Sequence, residues 1–167
     1  MVLFIFWSED FKLFGQFGWH ILFGVMLIRP LTEVFPRVLF FRKLMLWRRE
    51  FGVLSGILFL LHVAGYFLRW EVLPWTIFSD SSYLGWSNFL FWGLLGIIIL
   101  IPVFITSNNF FQRTLKQNWK RVQRLSYVLF LAGVLHIYFL GEYYALLEII
   151  ILVVFWVLAW RKRKPNL

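Results

Sequence analysis

A chain of 167 residues that is 61% hydrophobic, 22% aromatic and only 15% charged, with a mean hydropathy of +0.76, has too little polar surface for a soluble domain of its size. Its formal charge of +9 does not indicate nucleic acid, because the basic residues gather at the ends of apolar segments, where they record membrane orientation. With no cysteine, a disulfide, an iron–sulfur cluster, a zinc–thiolate site and a thioether-linked cofactor are all excluded.

The expected architecture is an all-α integral membrane bundle of five transmembrane helices in a single domain, residues 1–167. The opening MVLFIFWSEDFK has no basic stretch ahead of its apolar residues and soon reaches acids, so it reads as neither a cleavable signal peptide nor a span. Residues 13–28 form a first short span that Arg29-Pro30 is expected to stop. Residues 29–49 carry Arg29, Arg37, Arg42, Lys43, Arg48 and Arg49 with Pro30 and Pro36, the pattern of a basic surface loop with a short interfacial piece. Residues 51–68 are the second span. The stretch 70–87, with Glu71, Pro74, Asp80, serines and aromatics, suits a loop at the headgroup boundary. Residues 89–105 are the third span, with Pro102 near its end, and 106–124 read as a second basic loop holding Arg113, Lys116, Lys120, Arg121 and Arg124. Residues 125–140 are the fourth span, Gly141-Glu142 a tight turn and 143–160 the fifth span, before Arg161-Lys162-Arg163-Lys164.

Five spans separate the termini. The two basic loops and the tail place fifteen of the seventeen Lys and Arg residues on one side, against Lys12 and Arg69 on the other. The positive-inside rule then puts the N-terminus outside and the C-terminus in the cytoplasm, so that the second and fourth spans both run outward.

Those two spans each contain one histidine. His62 follows Arg49 by thirteen residues and His136 follows Arg124 by twelve, so both lie roughly 18–20 Å above the inner boundary and within about 2 Å of the same depth, in the outer half of the bilayer. Small residues share their helical faces: Gly65 and Ser55 near His62, Gly133 and Ala132 near His136. Two readings fit. A flat macrocycle with an iron held by both imidazoles needs such openings; equally, small residues let membrane helices pack closely while a histidine hydrogen-bonds across the interface.

The run WRREFGVLSGILFLLHVAGYF, with its Arg48-Arg49 pair and Leu61-His62, resembles the second-helix signature of the ferric-reductase-like transmembrane domain, in particular its MsrQ/YedZ-type haem-binding membrane subunits. ITSNNFFQRTLKQNWKRVQRLSYVLFLAGVLHIYF matches the same family at Thr106-Ser107, Gln112-Arg113, Trp119, Tyr127 and Leu135-His136, and Arg29-Pro30-Leu31 stands where the family has Thr-Pro-Leu. The resemblance implies one b-type haem with His62 and His136 as axial ligands and Gly65 and Gly133 beside them, in a bacterial inner membrane. It also implies an electron-transfer role, from a cytoplasmic flavin reductase to an outer-face redox protein or small acceptor such as a periplasmic methionine sulfoxide reductase. The family's further histidine, thirteen residues before the last, is replaced by Gln123.

Gln123 is a poor iron ligand, but its amide, with Arg48, Arg49 and Arg124 at a similar level, suits a haem propionate or the phosphate of FMN on the cytoplasmic side. His20 lies shallower and reads as a packing or propionate-side residue, and Glu148, in the last span, as a structural acid. The basic loops also suit anionic membrane lipid. No glycine-rich phosphate loop or paired carboxylates support chemistry of the chain's own, so it reads as a subunit rather than a self-sufficient enzyme. The competing functions are a haem-free membrane scaffold or assembly protein and a ferric- or quinone-reducing module.

Overall fold

The computed structural model describes residues 10–71, 76, 79 and 81–163. The apolar opening up to residue 9, Pro74 and Asp80 of the headgroup loop, and Lys164 lie outside the described residues. The described chain is helical: α1 (Phe11–Val34), α2 (Leu39–Arg69), a 3-10 turn at Ser81–Tyr83, α3 (Phe89–Ile105), α4 (Asn109–Leu115), α5 (Gln117–Phe139) and α6 (Tyr144–Arg163). Four of these, α1, α2, α5 and α6, are long and apolar enough to cross a bilayer alone, and α3 with α4 makes a fifth candidate across an 88° bend.

Two expected loops are helical, for local reasons. Pro30 does not end α1: it is buried inside the helix, and the chain continues to Val34 with Arg29 and Glu33 paired one turn apart at 3.1 Å. The stop comes instead from Pro36, which disfavours helical geometry at Phe35, and the Phe35 amide caps the helix on Leu31. From Leu39 to Glu50 there is neither glycine nor proline, so the basic stretch read as a surface loop is the first third of the 31-residue α2. At about 46 Å this helix is longer than the hydrocarbon core is thick. The second basic loop is likewise mostly helix. Asn108 caps α4 by accepting the Phe111 amide at 3.0 Å, and Lys116, at φ 48°, separates α4 from α5. Gly141, at φ 87°, makes the turn expected between α5 and α6.

The helices pack as two pairs. α1 lies along α2 and α3 along α5, these being the two most extensive interfaces, and α6 covers α1 and α5. α2 meets α3 where Phe104 and Leu100 lie against Gly56. The core is centred on α1 and α5: Trp19 stacks on Phe130 with ring centroids 4.8 Å apart, joined by Leu22, Met26, Leu129 and Val134. The basic ends gather at one end of the bundle. Lys162 of α6 donates to the Val34 carbonyl at 2.6 Å, Arg163 pairs with Glu33, and Arg49 of α2 bonds Asn109 of α4.

A side chain at Gly141 forces an L-residue into the left-handed region, so Gly141→Ala is expected to cost about 1 kcal/mol, while Gly24→Ala, inside α1 where a methyl meets open space, is expected to stabilise by up to about 1 kcal/mol. Thermal unfolding of the two variants in detergent checks this.

Candidate functional site

The two histidines predicted to share a depth are brought together. The rings of His62 and His136 face each other across the gap between the two helix pairs, with centroids 6.4 Å apart and planes at 82°. Each is held in the same way. His62 Nδ1 is 2.8 Å from the carbonyl oxygen of Phe11, the first residue of α1, and His136 Nδ1 is 2.8 Å from the carbonyl oxygen of Phe89, the first residue of α3. A carbonyl can only accept, so Nδ1 is the protonated nitrogen in both rings, and each neutral imidazole keeps its lone pair on Nε2. The phenyl rings of the same residues pack against the imidazoles, at 5.4 Å for Phe11 with His62 and 5.8 Å for Phe89 with His136.

Gly65 and Gly133 serve the pair indirectly. A methyl at Gly65 would lie 2.4 Å from Cβ of Phe11, and one at Gly133 would lie 2.5 Å from the indole of Trp19. Gly65 therefore seats the residue whose carbonyl holds His62, and Gly133 seats the aromatic that joins α1 to α5. Ser55 is fully buried and donates to the Gly18 carbonyl at 2.8 Å, closing α2 onto α1. Phe11, Phe89, Gly15 and Gly93 escaped the sequence reading. Their signal is a repeat, Phe-x-x-x-Gly-x-x-Gly, present as FKLFGQFG at 11–18 and FLFWGLLG at 89–96.

His20 stands apart from the pair. Its Nδ1 lies 3.0 Å from Glu148 of α6, whose other oxygen accepts from the Trp19 indole, and Tyr144 packs beside the imidazole at 5.7 Å. The Glu148 side chain is 12% exposed against 56% for His20, so the acid is a buried joint between α1 and α6. Glu148 thus bonds a neighbouring helix as expected of it, and His20, expected to be a packing or propionate-side residue, packs on Tyr144.

On the basic side, the Gln123 amide nitrogen donates toward Thr106 Oγ1 at 3.0 Å, Val103 O at 3.2 Å and Ser107 Oγ at 3.3 Å, and the Trp119 indole donates to Thr106 O at 2.8 Å. Gln123 thus ties α5 to the α3–α4 bend. Arg49 bonds Asn109 and Glu50 at the edge of an open groove of about 430 Å³, lined by Val53, Leu54 and Ile57 on its apolar side and by Ser107, Asn108 and Asn109 on its polar side. Among the described residues no three His, Cys, Asp or Glu converge.

Apolar helices that hold two facing imidazoles of one tautomer in the gap between helix pairs define a multi-pass membrane protein with a paired-imidazole centre. Residues 14–134 match the ferric reductase like transmembrane component family, and the chain belongs to it. The matched residues include His62 and stop two short of His136.

The chain is similar to the protein-methionine-sulfoxide reductase heme-binding subunit MsrQ of Rhizobium meliloti (strain 1021), 30% identical over 131 residues, which are 77% of this chain and 56% of that protein. The subunits of the same name from Agrobacterium fabrum and Caulobacter vibrioides are 29% and 30% identical, over 77% and 75% of this chain and 57% and 58% of their own lengths. The chain therefore spans a little over half the length of the curated relatives it matches. No solved structure matches it. Its family, its bacterial relatives and its apolar helices make it a multi-pass protein of the bacterial inner membrane.

Trp19 is 2% exposed and braces α1 against α5 and α6. Trp19→Ala is expected to cost about 3 kcal/mol, and His20→Ala well under half of that. Unfolding in mixed detergent micelles measures both.

Proposed function

We propose that the chain is a membrane haem-binding electron-transfer subunit, with a single b-type haem held between α2 and α5 by His62 and His136. The observation that carries this reading is the pair of matched bonds from Nδ1 to a backbone carbonyl, since fixing one ring nitrogen by such a bond orients the other and raises its basicity toward a metal. The spacing fits. Two imidazole nitrogens each about 2 Å from a shared ion place the ring centroids roughly 6 Å apart, and the observed separation is 6.4 Å. The relatives' name, heme-binding subunit, supports the same group.

Haem supplies a reversible one-electron couple when bound. The chain's own part is to offer two Nε2 lone pairs, to hold each ring by the carbonyl of Phe11 or Phe89, and to surround the pair with apolar side chains that keep water out. Gly65 and Gly133 belong to the cofactor cradle through the aromatics they seat.

The direction of transfer follows from orientation. The basic helix ends gathered at the α1–α2 turn, the α3–α4 bend and the end of α6 are assigned to the cytoplasm, and the first residues of α1 and α3, level with the imidazoles, to the outer side. Electrons then pass from a cytoplasmic flavin reductase to an outer-face acceptor, in keeping with the methionine sulfoxide reductase in the relatives' name. The groove at Arg49 is the proposed place for a phosphate-bearing cofactor such as FMN, with Gln123 holding the α3–α4 bend that lines it. A haem-free scaffold, in which the histidines only join helices, draws on the same two bonds but gives no role to the Nε2 lone pairs or to the approach of the two rings to 6.4 Å.

His62→Ala and His136→Ala are each expected to lose haem or convert it to a high-spin form, while His20→Ala keeps a low-spin spectrum. The reverse pattern at His20 and His136 contradicts the pairing, and a haem-to-protein ratio near two contradicts the single site. For orientation, a reporter after Leu167 is expected to be active only in the cytoplasm and a tag before Met1 to be reachable only from outside; both ends on one side would refute the five-span topology.

A further inference from the structure

The two halves of the imidazole site are built to one plan, and its recurring element is a glycine. In an α-helix the carbonyl of residue i points toward residue i+4, and the Cα–Cβ bond of residue i+4 leans back toward the helix N-terminus, over that oxygen. A ring that approaches the carbonyl from a neighbouring helix therefore passes the Cβ position of residue i+4. In α1 the accepting carbonyl is Phe11 and residue i+4 is Gly15; in α3 they are Phe89 and Gly93. A methyl at Gly15 would lie 2.7 Å from Nδ1 of His62, and one at Gly93 would lie 3.1 Å from Nδ1 of His136. Both contacts fall on the nitrogen that makes the bond, and the first is closer than real Cβ atoms come.

We propose that Gly15 and Gly93 are matched positioning residues, one for each imidazole: their missing side chains let the ring reach the backbone oxygen one helical turn earlier, and this fixes the tautomer and the plane of the ligand. The inference rests on the haem reading above. It makes α1 with α2 and α3 with α5 two copies of one ligand-holding unit, each with the order Phe, Gly, His along the chain. The near-perpendicular ring planes, at 82°, result from the two units meeting across the gap. The second glycine of each repeat works differently. Gly18 makes room for Leu58 and Phe59 on α2, and a methyl at Gly96 would make only an ordinary contact with Leu129 at 3.8 Å. Clearance for the imidazole thus belongs to the first glycine alone.

The test uses the full chain purified with its haem and compares Gly15→Ala, Gly93→Ala and Gly96→Ala. The deciding readout is the electron paramagnetic resonance of the ferric low-spin haem, which follows the ligand planes and is little moved by a change in helix packing that leaves the ligands in place; the midpoint potential, which also responds to burial, is measured beside it. The largest g value reads the angle between imidazole planes, and planes already near perpendicular can only turn toward parallel. Gly15→Ala is therefore expected to lower that g value or to produce high-spin haem, and to shift the potential. Gly93→Ala, with the looser contact, is expected to do the same to a smaller degree, and Gly96→Ala to match the wild type.

Should Gly15→Ala retain no haem, the milder Gly93→Ala decides. An unchanged spectrum and potential in Gly93→Ala, or an equal change in Gly96→Ala, overturns the proposal. These outcomes are separable from a failure of the haem reading, which shows as a haem-free wild type or as low-spin haem surviving the loss of both His62 and His136, and which also overturns the proposal.

Discussion

An imidazole in the hydrocarbon layer has no water to bond, and leaving one of its polar atoms unpaired there costs several kcal/mol. This protein meets the constraint twice with the same bond, from Nδ1 of a histidine to a backbone carbonyl at the start of the neighbouring helix. Much of the rest depends on those bonds. They require α1 to lie close enough to α2, and α3 to α5, for a ring to touch backbone. That in turn requires glycine at positions 15 and 93, where a side chain would block the approach. They also settle which nitrogen carries the proton, and so leave Nε2 of each ring as an acceptor, the atom that the proposed haem reading uses.

The division into two helix pairs follows. Within each pair the contacts are tight: Ser55 is bonded to the Gly18 carbonyl, and Gly65 receives Phe11. Between the pairs, contact runs through α1 and α5, where Trp19 stacks on Phe130 and fits against Gly133, and through α6, which carries Glu148 to Trp19 and His20. α2 also meets α3 at Gly56, where a methyl would lie 2.6 Å from the Phe104 ring, so the helices bounding the gap at the two imidazoles are fixed by contacts elsewhere along their length. A joint placed beside a site rather than across it can hold the ligands apart without filling the space between them.

The composition and the spacing of charges made the class legible, and of the five expected spans four are single long helices while the fifth is the bent pair α3 and α4. The depth argument for His62 and His136 needed only a rise of about 1.5 Å per residue. Helix ends were harder. Pro30 carries a breaker's signal, yet the helix runs through it, as membrane helices tolerate an internal proline, and the next proline, Pro36, supplies the stop. The charges of residues 39–49 and 116–124 suggested loops, yet charge at a membrane boundary says nothing against helix where glycine and proline are missing. Gln123 was read as a poor iron ligand whose amide suits a propionate or a flavin phosphate; its partners in the fold, Val103, Thr106 and Ser107, lie near the α3–α4 bend, distant in sequence, and could not be named. The carbonyl acceptors were invisible for a deeper reason: a backbone oxygen carries no sequence signature, and only the glycine one turn later marks it.

The bundle combines a histidine pair near one end with a basic collar at the other, and the proposed transfer of electrons across the membrane draws on both. Its central claim is that two imidazoles held apart by two backbone bonds ligate one haem. The reduced-minus-oxidised optical spectrum of the wild-type protein, purified after expression with ample haem, tests this most directly. A sharp α-band of a six-coordinate b-type haem is the predicted result, and protein recovered folded but without haem would contradict the account.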